Sequence, residues 1–489
     1  MTKPLWDHIQ FQARQRPGAL AVFGPAGPVA YHTMVLDTEA LATELLERNL
    51  TRQDMVGLQM GLTYLHLLLI LALDRLSIPS MSFESRDATP VTPDDCRQFG
   101  LTAVISGAAS PAEPACRWIT MAEPHRPKLG NPDHARLAQL DSPPDALVRV
   151  MWSSGTTGGA KGSPLTRSVQ HHRVTVRRLI RGFGPRTRYF TLMRFSNSTG
   201  YARAIAVLAA GGAVVLPCPP TDFVGLANLI GVTVTSGPPA TLSALLGQSG
   251  GRVQRLETVE FFEVLGAHLP AKLAQDARLF LTPNLWINYG ATEVDQAATA
   301  DAAVCVADPS AVGFVVPWME VEIVDASGRP VPSGQEGRVR VRGAPMIAGY
   351  YRNPDATRRN FSDGWFHPGD LGSLADHGLL RVTGRIEEVI AQDGVMISAL
   401  PLEEMIRGVP GVRDVAVFPL TGTDGAQEIG AALVLETGAG AKAVRQAISA
   451  QLGGQAPTRV FMTDALPRNA SGKVMRRQLV EMAQRAVKL

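Results

Sequence analysis

The sequence has 489 residues, enough for two or more domains at roughly 100–200 residues each. Its 47 basic and 44 acidic residues leave a net charge of +3, so no strong overall field favours nucleic acid or an anionic membrane as a partner. Hydrophobic residues make up 45% of the chain, which is ample for large cores.

The start of the chain and its apolar segments indicate a cytoplasmic protein. Met1–Pro4 leads into an amphipathic segment rather than a secretory signal. The strongest apolar run, Leu65–Leu73, is far shorter than the roughly 20 residues of a spanning helix, and we expect a core helix there. The four cysteines form neither a Cys-x-x-Cys pair nor a zinc pattern, which favours free thiols in a reducing compartment.

The first 300 residues read as alternating helices and strands. A helix is predicted over 35–50, with Leu41 and Leu45 on one side and Asp37 or Thr38 as its N-cap. Short apolar runs then predict strands at Val148–Met151, Ala213–Leu216, Val232–Thr235 and Val259–Val264. The alternation predicts α/β layers with mostly parallel sheets.

The pattern changes near residue 384. Beyond it we predict short elements: a strand to about 391, a helix near 402–408, strands at 413–420 and 429–436, and a helix at 441–452. About 100 residues of α+β pattern suit a separate small domain. The prediction is therefore a large N-terminal α/β domain over 1–384 and a small C-terminal α+β domain over 385–489.

One stretch has the composition of a phosphate-binding loop. Ser153–Gly162, SSGTTGGAKG, follows a predicted strand and combines glycines, hydroxyls and Lys161, one of only seven lysines in the chain. Glycines let the backbone approach phosphate closely, and exposed N–H groups form an anion nest. The spacing is not that of the common nucleotide P-loop. A flexible Ser/Gly turn is the alternative.

Further polar motifs follow at 288 (NYGATE), 364 (GWFHPGDLG), 384 (GRIEEVI) and 466 (LPRNASGKV). Glu293 in the first of them suits Mg²⁺, which prefers oxygen ligands shared with substrate phosphates. Asp370, fixed between glycines, suits a grip on two ribose hydroxyls. Each motif alone could be a turn or a solvated surface segment.

The five motifs in this order resemble the adenylate-forming superfamily: acyl- and aryl-CoA synthetases, adenylation domains of peptide synthetases, and firefly luciferase. The resemblance covers essentially the whole chain and implies an α/β large domain with a small mobile α+β domain. It also implies that a carboxylate attacks the α-phosphate of ATP, with Mg²⁺ as cofactor, to form an acyl-adenylate and pyrophosphate. A second nucleophile, usually a thiol, then displaces AMP.

The resemblance further implies roles for individual residues. Those implied to contact the leaving phosphates are Ser153, Ser154, Gly155, Thr156, Thr157 and Lys161. Those implied to line the adenine slot are Gly266, Ala267, Asn288 and Tyr289. Thr292 would contact the α-phosphate, Glu293 would hold Mg²⁺, and Asp370 and Arg385 would hold the ribose. Lys473 would bridge the carboxylate and α-phosphate oxygens, and Glu387 would be the hinge, with a plain surface carboxylate as its alternative.

The acyl pocket is expected to involve Phe195, Ser196, Asn197, Gly200, Ser236 and Gly290. Amino-acid-activating members have Phe-Asp-x-Ser where this chain has Phe195–Ser198, FSNS. A buried ammonium without a countercharge is costly, so α-amino acids are disfavoured. Asn197 either hydrogen-bonds a ring substituent or is a satisfied polar group in a loop.

The leading hypothesis is an ATP- and Mg²⁺-dependent ligase that joins an aryl or medium-sized acid to CoA. Ala160, Ala391 and Pro401 depart from the superfamily pattern, and the last two put the identity of the acceptor in doubt. The alternatives are a separate carrier protein or an amine as acceptor, and a non-enzymatic nucleotide-binding regulatory protein. Two-domain members are often homodimers, although nothing in the sequence indicates an interface.

Overall fold

The computed structural model describes residues 4–84, 91–140, 143, 145–154, 160–218, 222–248, 253, 255–392, 395–421, 427–468 and 472–486. Its α-helices are, in chain order, α1 (Leu5–Gln15), α2 (Tyr31–Glu47), α3 (Tyr64–Leu76), α4 (Pro93–Phe99), α5 (His134–Ala138), α6 (Arg167–Arg181), α7 (Ser198–Ala209), α8 (Phe223–Ile230), α9 (Pro239–Gln248), α10 (Ala271–Phe280), α11 (Ala303–Ala307), α12 (Pro354–Asn360), α13 (Ala399–Arg407), α14 (Ala441–Leu452) and α15 (Arg476–Ala486).

The strands up to residue 315 are β1 (Leu20–Gly24), β2 (Gly27–Ala30), β3 (Val56–Met60), β4 (Ser80–Glu84), β5 (Ala103–Ser106), β6 (Arg117–Thr120), β7 (Leu147–Ser154), β8 (Ala160–Thr166), β9 (Arg188–Thr191), β10 (Ala213–Val215), β11 (Val234–Gly237), β12 (Phe261–Val264), β13 (Leu285–Ala291), β14 (Asp295–Asp301) and β15 (Ala311–Val315). The later strands are β16 (Met319–Val324), β17 (Gly337–Gly343), β18 (Phe361–Ser362), β19 (Trp365–Phe366), β20 (Asp370–Leu374), β21 (Leu379–Arg385), β22 (Ile390–Gln392), β23 (Val395–Ile397), β24 (Val412–Thr421), β25 (Gln427–Leu435) and β26 (Arg459–Met462).

Two sheets organise the part of the chain up to β21, which we call the large lobe. One runs in the order β6-β5-β3-β4-β7-β8 and is parallel up to the antiparallel pair β7/β8. The other runs β18-β19-β17-β20-β21-β15-β14-β13-β12-β11-β9-β10-β1-β2, with β16 paired to β17. Its strands β1, β10, β9, β11, β12 and β13 are parallel. Helices α1, α2, α3 and α7 contribute to the largest apolar core.

The predicted α/β alternation is confirmed, and its details differ in two places. The helix expected over 35–50 is α2, which begins at Tyr31 after Ala30, so the predicted cap at Asp37 or Thr38 is wrong. The Thr38 hydroxyl instead donates to the carbonyl of Met34 within the helix, at 2.8 Å. The antiparallel strands β14–β21, which complete the second sheet, were not predicted from the sequence.

The elements from β22 onward form what we call the small lobe. Strands β24, β25 and β26 form one sheet, and β22 and β23 form a separate hairpin. The predicted helix at 441–452 is α14, whose Val444 and Ile448 are buried and whose C-cap is Gly453. Arg385 is the last residue of β21 and lies in the large-lobe sheet. The boundary between residues 384 and 385 stays a prediction.

Two further sequence expectations can be compared with the structure. The apolar run Leu65–Leu73 lies in α3, which is almost entirely buried. Within the described residues, no helix combines the length and the apolar character needed to cross a bilayer. The cysteines are free thiols, although the sulfur atoms of Cys96 and Cys116 lie 3.1 Å apart.

Candidate active site

The strands that flank the predicted phosphate loop form an antiparallel pair. Ser153 faces Lys161 and Ser154 faces Ala160 across β7 and β8. The Lys161 ammonium donates to the side-chain oxygen of Asn360 at 3.2 Å and lies 5.3 Å from the ring centre of Tyr350. The strand pair therefore presents Lys161 next to the loop. Gly155, Thr156 and Thr157 lie outside the described residues, and their predicted contacts stay predictions.

Three predicted nucleotide-binding residues meet at one carboxylate. Asp370 is buried, and its Oδ2 accepts a hydrogen bond from the Tyr289 hydroxyl at 2.6 Å. Its Oδ1 lies 3.0 Å from Nε of Arg385, the residue opposite it across β20 and β21. Burial, followed by the charge of Asp370, raises the pKa of Tyr289 well above its usual value, so the hydroxyl stays a donor. This carboxylate is thus oriented from both sides.

A second buried carboxylate follows β13. Glu293 Oε1 accepts a hydrogen bond from the Tyr350 hydroxyl at 2.7 Å. Arg173 Nη2 donates to the backbone carbonyls of Thr292 and Glu293, at 3.0 and 3.1 Å. Burial, and then the charge of Glu293, raise the pKa of Tyr350 above its usual value. Arg173 therefore holds the backbone of the Thr292–Glu293 turn, and Tyr350 holds the Glu293 carboxylate.

These groups allow a test of whether Mg²⁺ fits. No cluster of three His, Cys, Asp or Glu side chains suited to a metal occurs among the described residues. Glu293 offers a single carboxylate that is already oriented by Tyr350. Mg²⁺ is commonly held by one or two carboxylates together with substrate phosphates and water. The site therefore fits an ion that arrives with a nucleotide, and does not form a cage of protein ligands alone.

The small lobe brings Lys473 to the same place. Burial, and then the nearby Arg385, lower the pKa of Lys473, while Asp370, Glu293 and Glu388 act in the opposite direction. Gly472, at φ +80°, is packed so closely on the large lobe that a Cβ there would lie 3.3 Å from Cβ of Pro238. Lys473 is thus near enough to Asp370 and Glu293 to interact electrostatically with both, although they lie far before it in the chain.

Other contacts join the two lobes near this point. His268 Nε2 of the large lobe lies 3.1 Å from Glu404 Oε1 on α13 of the small lobe. Arg476 of the small lobe contacts Glu388, in the turn that follows β21, at 3.0 Å and Glu403 of α13 at 2.6 Å. Glu387 is exposed in the short 3₁₀ turn that follows β21. An exposed residue in a single turn between the lobes is suitably placed for a hinge, and that role stays a prediction.

The residues predicted for the adenine slot are divided between surface and interior. Gly266 is exposed after β12 with φ +88°, and Ala267 beside it is half-buried. The Asn288 amide oxygen accepts from Arg181 at 3.0 Å and from Gln296 at 2.7 Å. The Asn288 amide nitrogen donates to Glu263 at 3.2 Å. The side chain of Asn288 is therefore engaged in a buried network, which the sequence did not indicate.

The predicted acyl-pocket residues at the start of α7 mainly cap the helix, fill the core and allow close backbone packing. Asn197 is the N-cap of α7, with its Oδ1 accepting from the Thr199 N–H at 2.8 Å, which favours the satisfied-loop alternative over a ring contact. Phe195 is fully buried, and its ring meets that of His66 edge-on. At Gly200 a Cβ would lie 2.5 Å from the carbonyl oxygens of Met193 and Arg194, so only glycine fits. Ser196 is buried just before this turn.

The remaining two pocket residues adjoin polar groups. Ser236 is fully buried, and its hydroxyl lies 2.8 Å from that of Tyr189. Gly290 is exposed, and a Cβ there would lie 1.9 Å from the carbonyl oxygen of Asp295. Sequence reasoning missed Tyr350 as a partner of Glu293, and it missed the buried arginines of α6. The spacing of four between Arg173, Arg177 and Arg181 could have revealed the latter, because it places them on one helix face.

The fold and the site define an enzyme with two lobes, whose small lobe brings a lysine near two oriented carboxylates of the large lobe. The sequence matches the family described as AMP-binding enzyme over residues 9–351, and the AMP-binding enzyme C-terminal domain over 401–473. The chain belongs to the AMP-binding enzyme family, which confirms the superfamily resemblance and the prediction of an AMP-forming synthetase-type enzyme.

Two curated relatives illustrate the range of this family. The chain is 31% identical to a sulfoacetate–CoA ligase of Cupriavidus necator, over 72% of this chain and 70% of the relative. It is 25% identical to a 4-chlorobenzoate–CoA ligase of an Arthrobacter species, over 97% of this chain and 94% of the relative. Both are named as CoA ligases.

Solved structures share the fold at lower sequence identity. ATP-bound MatB from Rhodopseudomonas palustris aligns with a TM-score of 0.85 at 24% identity, over 99% of both chains. The o-succinylbenzoate CoA synthetase MenE from Bacillus subtilis, in complex with ATP and magnesium, gives 0.83 at 20%, over 98% of this chain and 99% of that one. The amide bond synthetase McbA from Marinactinospora thermotolerans gives 0.83 at 23%, with the same coverage.

Proposed function

We propose that the protein activates a carboxylic acid with ATP, releases pyrophosphate, and transfers the acyl group from the acyl-adenylate to the thiol of CoA. The observation that carries this proposal is the position of Lys473, which the small lobe brings within electrostatic range of Asp370 and Glu293. Aryl and medium-sized acids are the proposed substrates, and the two CoA ligases among the relatives support CoA as acceptor.

Within this reaction each charged group has a distinct task. Asp370 accepts hydrogen bonds from the ribose hydroxyls, with Arg385 and Tyr289 keeping the carboxylate in place. Lys161 and the loop before it bind the leaving phosphates. Thr292 contacts the α-phosphate. Lys473 meets the negative charge that grows on the α-phosphate as the acid attacks, and losing one such donor costs on the order of 10²–10³ in rate.

Mg²⁺ would be held by Glu293, and when bound it would neutralise charge on the phosphates. The Tyr350 hydroxyl donates to Oε1 of this carboxylate and so keeps the carboxylate oriented. Lys161, which contacts Asn360 and the Tyr350 ring, supplies a second positive charge to the same side of the cleft.

The acceptor is the part of the proposal that needs separate testing. A carrier-protein thiol and an amine are the alternatives, and the structural likeness to an amide bond synthetase supports only a shared fold. Ala391 on the exposed face of β22 and Pro401 in α13 are residues that the small lobe could turn toward an acceptor.

The test is a two-stage assay of the purified protein. Pyrophosphate release with a panel of aryl, fatty and amino acids identifies whether adenylation occurs and with which class. CoA is then added, and the masses of the products are measured by mass spectrometry. An acyl-CoA thioester supports the proposal. Adenylate formation without a thioester would favour a carrier-protein thiol or an amine as the acceptor. No pyrophosphate release with any acid would refute adenylation.

A further inference from the structure

Helix α6 carries its charged side chains inward. Arg173, Arg177 and Arg181 follow one another at intervals of four residues and are all buried, while Leu179 on the same helix is 73% exposed. An ordinary surface helix shows the opposite arrangement, with apolar residues toward the core. Burying long cationic side chains is costly unless partners are provided, so this inversion requires an explanation.

The buried partners do not balance these arginines. With Arg203 of α7, the cluster contains four guanidinium groups, and the carboxylates in direct contact with them among the described residues are Glu263 and Asp295. Glu263 contacts both Arg181, at 2.8 Å, and Arg203, whereas Asp295 contacts Arg177. Glu293 is near enough to Arg173 to act on it electrostatically, but its Oε1 is bound by Tyr350. The cluster therefore has an excess of positive charge.

The excess coincides with hydrogen-bond donors that lack acceptors. Nε and Nη1 of Arg177 and Nη1 of Arg173 are buried and have no hydrogen-bond partner among the described residues, and the same holds for Oδ2 of Asp295. Burial, and then the neighbouring Arg203 and Arg173, lower the pKa of Arg177 well below its usual value. Buried polar groups in native proteins are nearly always paired, and guanidinium groups bind carboxylate or similar oxygens most strongly. One carboxylate oxygen cannot satisfy three guanidinium nitrogens, so the missing partner is expected to be an anion.

The cluster adjoins the predicted acyl pocket. Asp295, the partner of Arg177, has its carbonyl oxygen directly against Gly290. Arg173 donates to the carbonyl of Thr292. Glu263 pairs with Ser236 in the register of β11 and β12. The arginine cluster thus lies next to residues that are expected to bind the acid.

We propose that the acid activated by this enzyme carries a second anionic group, a carboxylate or a sulfonate, which binds to Arg177 and Arg173. This inference rests on the proposed function, because it names the substrate class for the same pocket. The first carboxylate reacts near Thr292, and the second group occupies the free donors of the two arginines. Arg177 is then a specificity-determining residue, since an acid lacking the second charge leaves its donors buried and unpaired.

Matched pairs of acids test this directly. Each dianion is compared with its neutral isostere: succinate with succinamate, glutarate with glutaramate, isophthalate with 3-carbamoylbenzoate, and sulfoacetate with methylsulfonylacetate. We expect kcat/KM in ATP–pyrophosphate exchange to favour the dianion of the best pair by about 100-fold or more. Arg177→Met should reduce that ratio to below about tenfold, whereas Arg178→Gln, the neighbouring change on α6, should leave it unchanged.

A binding measurement separates failure of this inference from failure of the proposed function. The shift in melting temperature on adding each acid to the wild-type protein requires no catalysis. A larger shift with the dianions supports the inference even if no acid gives pyrophosphate exchange. The inference is overturned if neutral isosteres match or exceed their dianions in every pair, whether in exchange or, where exchange is absent, in the thermal shift.

Discussion

At the level of single residues, Asp370 is a carboxylate that is constrained from two sides. It is buried, accepts from Tyr289 at 2.6 Å, and lies 3.0 Å from Nε of Arg385. A carboxylate held from two sides has one orientation available, which lowers the entropic cost of binding a pair of hydroxyls. Its partners therefore matter as positioning residues as much as the carboxylate matters as a ligand.

Asp370→Ala should raise the KM for ATP by about tenfold to 100-fold, because hydrogen bonds to a charged group contribute about 1.5–3 kcal/mol. The measurement is initial-rate pyrophosphate release at varied ATP and saturating acid. Asp376→Ala, an exposed carboxylate in the turn after β20, is the control and should leave KM unchanged. An unchanged KM in Asp370→Ala would remove the assigned role.

Lys473 allows a prediction about pH. Burial, and then Arg385, lower its pKa, and only the protonated amine can stabilise the developing phosphate charge. Activity is therefore full below this lowered pKa and is lost as pH rises through it. The alkaline limb of kcat/KM for ATP should lie below about 10.4, the ordinary value for lysine. Arg385→Gln should move the limb to higher pH, whatever it does to the maximum rate, and a limb that stays in place would contradict this account.

At the scale of elements, the entry into α7 shapes the predicted acyl pocket. Asn197 caps the helix, and Gly200 allows its first turn to lie against the carbonyls of Met193 and Arg194. If this segment lines the acyl pocket as expected, backbone packing rather than the choice of side-chain rotamers sets the position of the pocket wall.

Gly200→Ala should destabilise the protein by about 1–3 kcal/mol, because its Cβ would lie 2.5 Å from two carbonyl oxygens. The midpoint of urea unfolding, followed by far-UV circular dichroism, measures this effect. Gly247→Ala near the end of α9 is the matched control, since a Cβ there has no atom within 4 Å. It should be neutral or stabilising by up to about 1 kcal/mol. Equal midpoints for both variants would show that the close approach at Gly200 is easily relieved.

The sequence predicted elements whose pattern is local, and it missed those that depend on distant partners. α14 was found because Val444, Ile448 and Gly453 lie within one helical segment. Among the antiparallel strands β14–β21, the pairings β15/β21, β17/β19 and β17/β20 join strands that are not consecutive in the chain, and local patterns do not reveal such pairings. The inward arginines of α6 were missed because binary patterning assigns charges to the surface, whereas here Arg177 pairs with Asp295 of β14 and Arg181 with Glu263 of β12.

At the scale of the whole molecule, the motifs predicted the chemistry of the cleft but not its arrangement. The order of the motifs implied that Asp370, Glu293 and Lys473 act in the same reaction. Their actual proximity depends on the docking of the small lobe, through Gly472 against Pro238 and Glu404 against His268. Rotation of the small lobe between two half-reactions, which the proposed function requires, would have to break these contacts.

Glu387→Pro should slow acyl transfer more than adenylation, because proline fixes φ near −65° in the turn that joins the lobes. The docked arrangement seen here would persist, while rotation away from it would be hindered. Single-turnover measurement of adenylate formation, and separately of thioester formation from supplied acyl-adenylate, resolves the two steps. Similar slowing of both would argue against a hinge at this residue.

The proposed function requires that Lys473 acts on the nucleotide in the first half-reaction only. Lys473→Ala should lower ATP–pyrophosphate exchange by about 10²–10³ and leave thioester formation from supplied acyl-adenylate largely intact. Lys442→Ala, an exposed lysine on α14, should change neither rate. Equal loss of both half-reactions in Lys473→Ala, or retention of full exchange activity, would contradict the account.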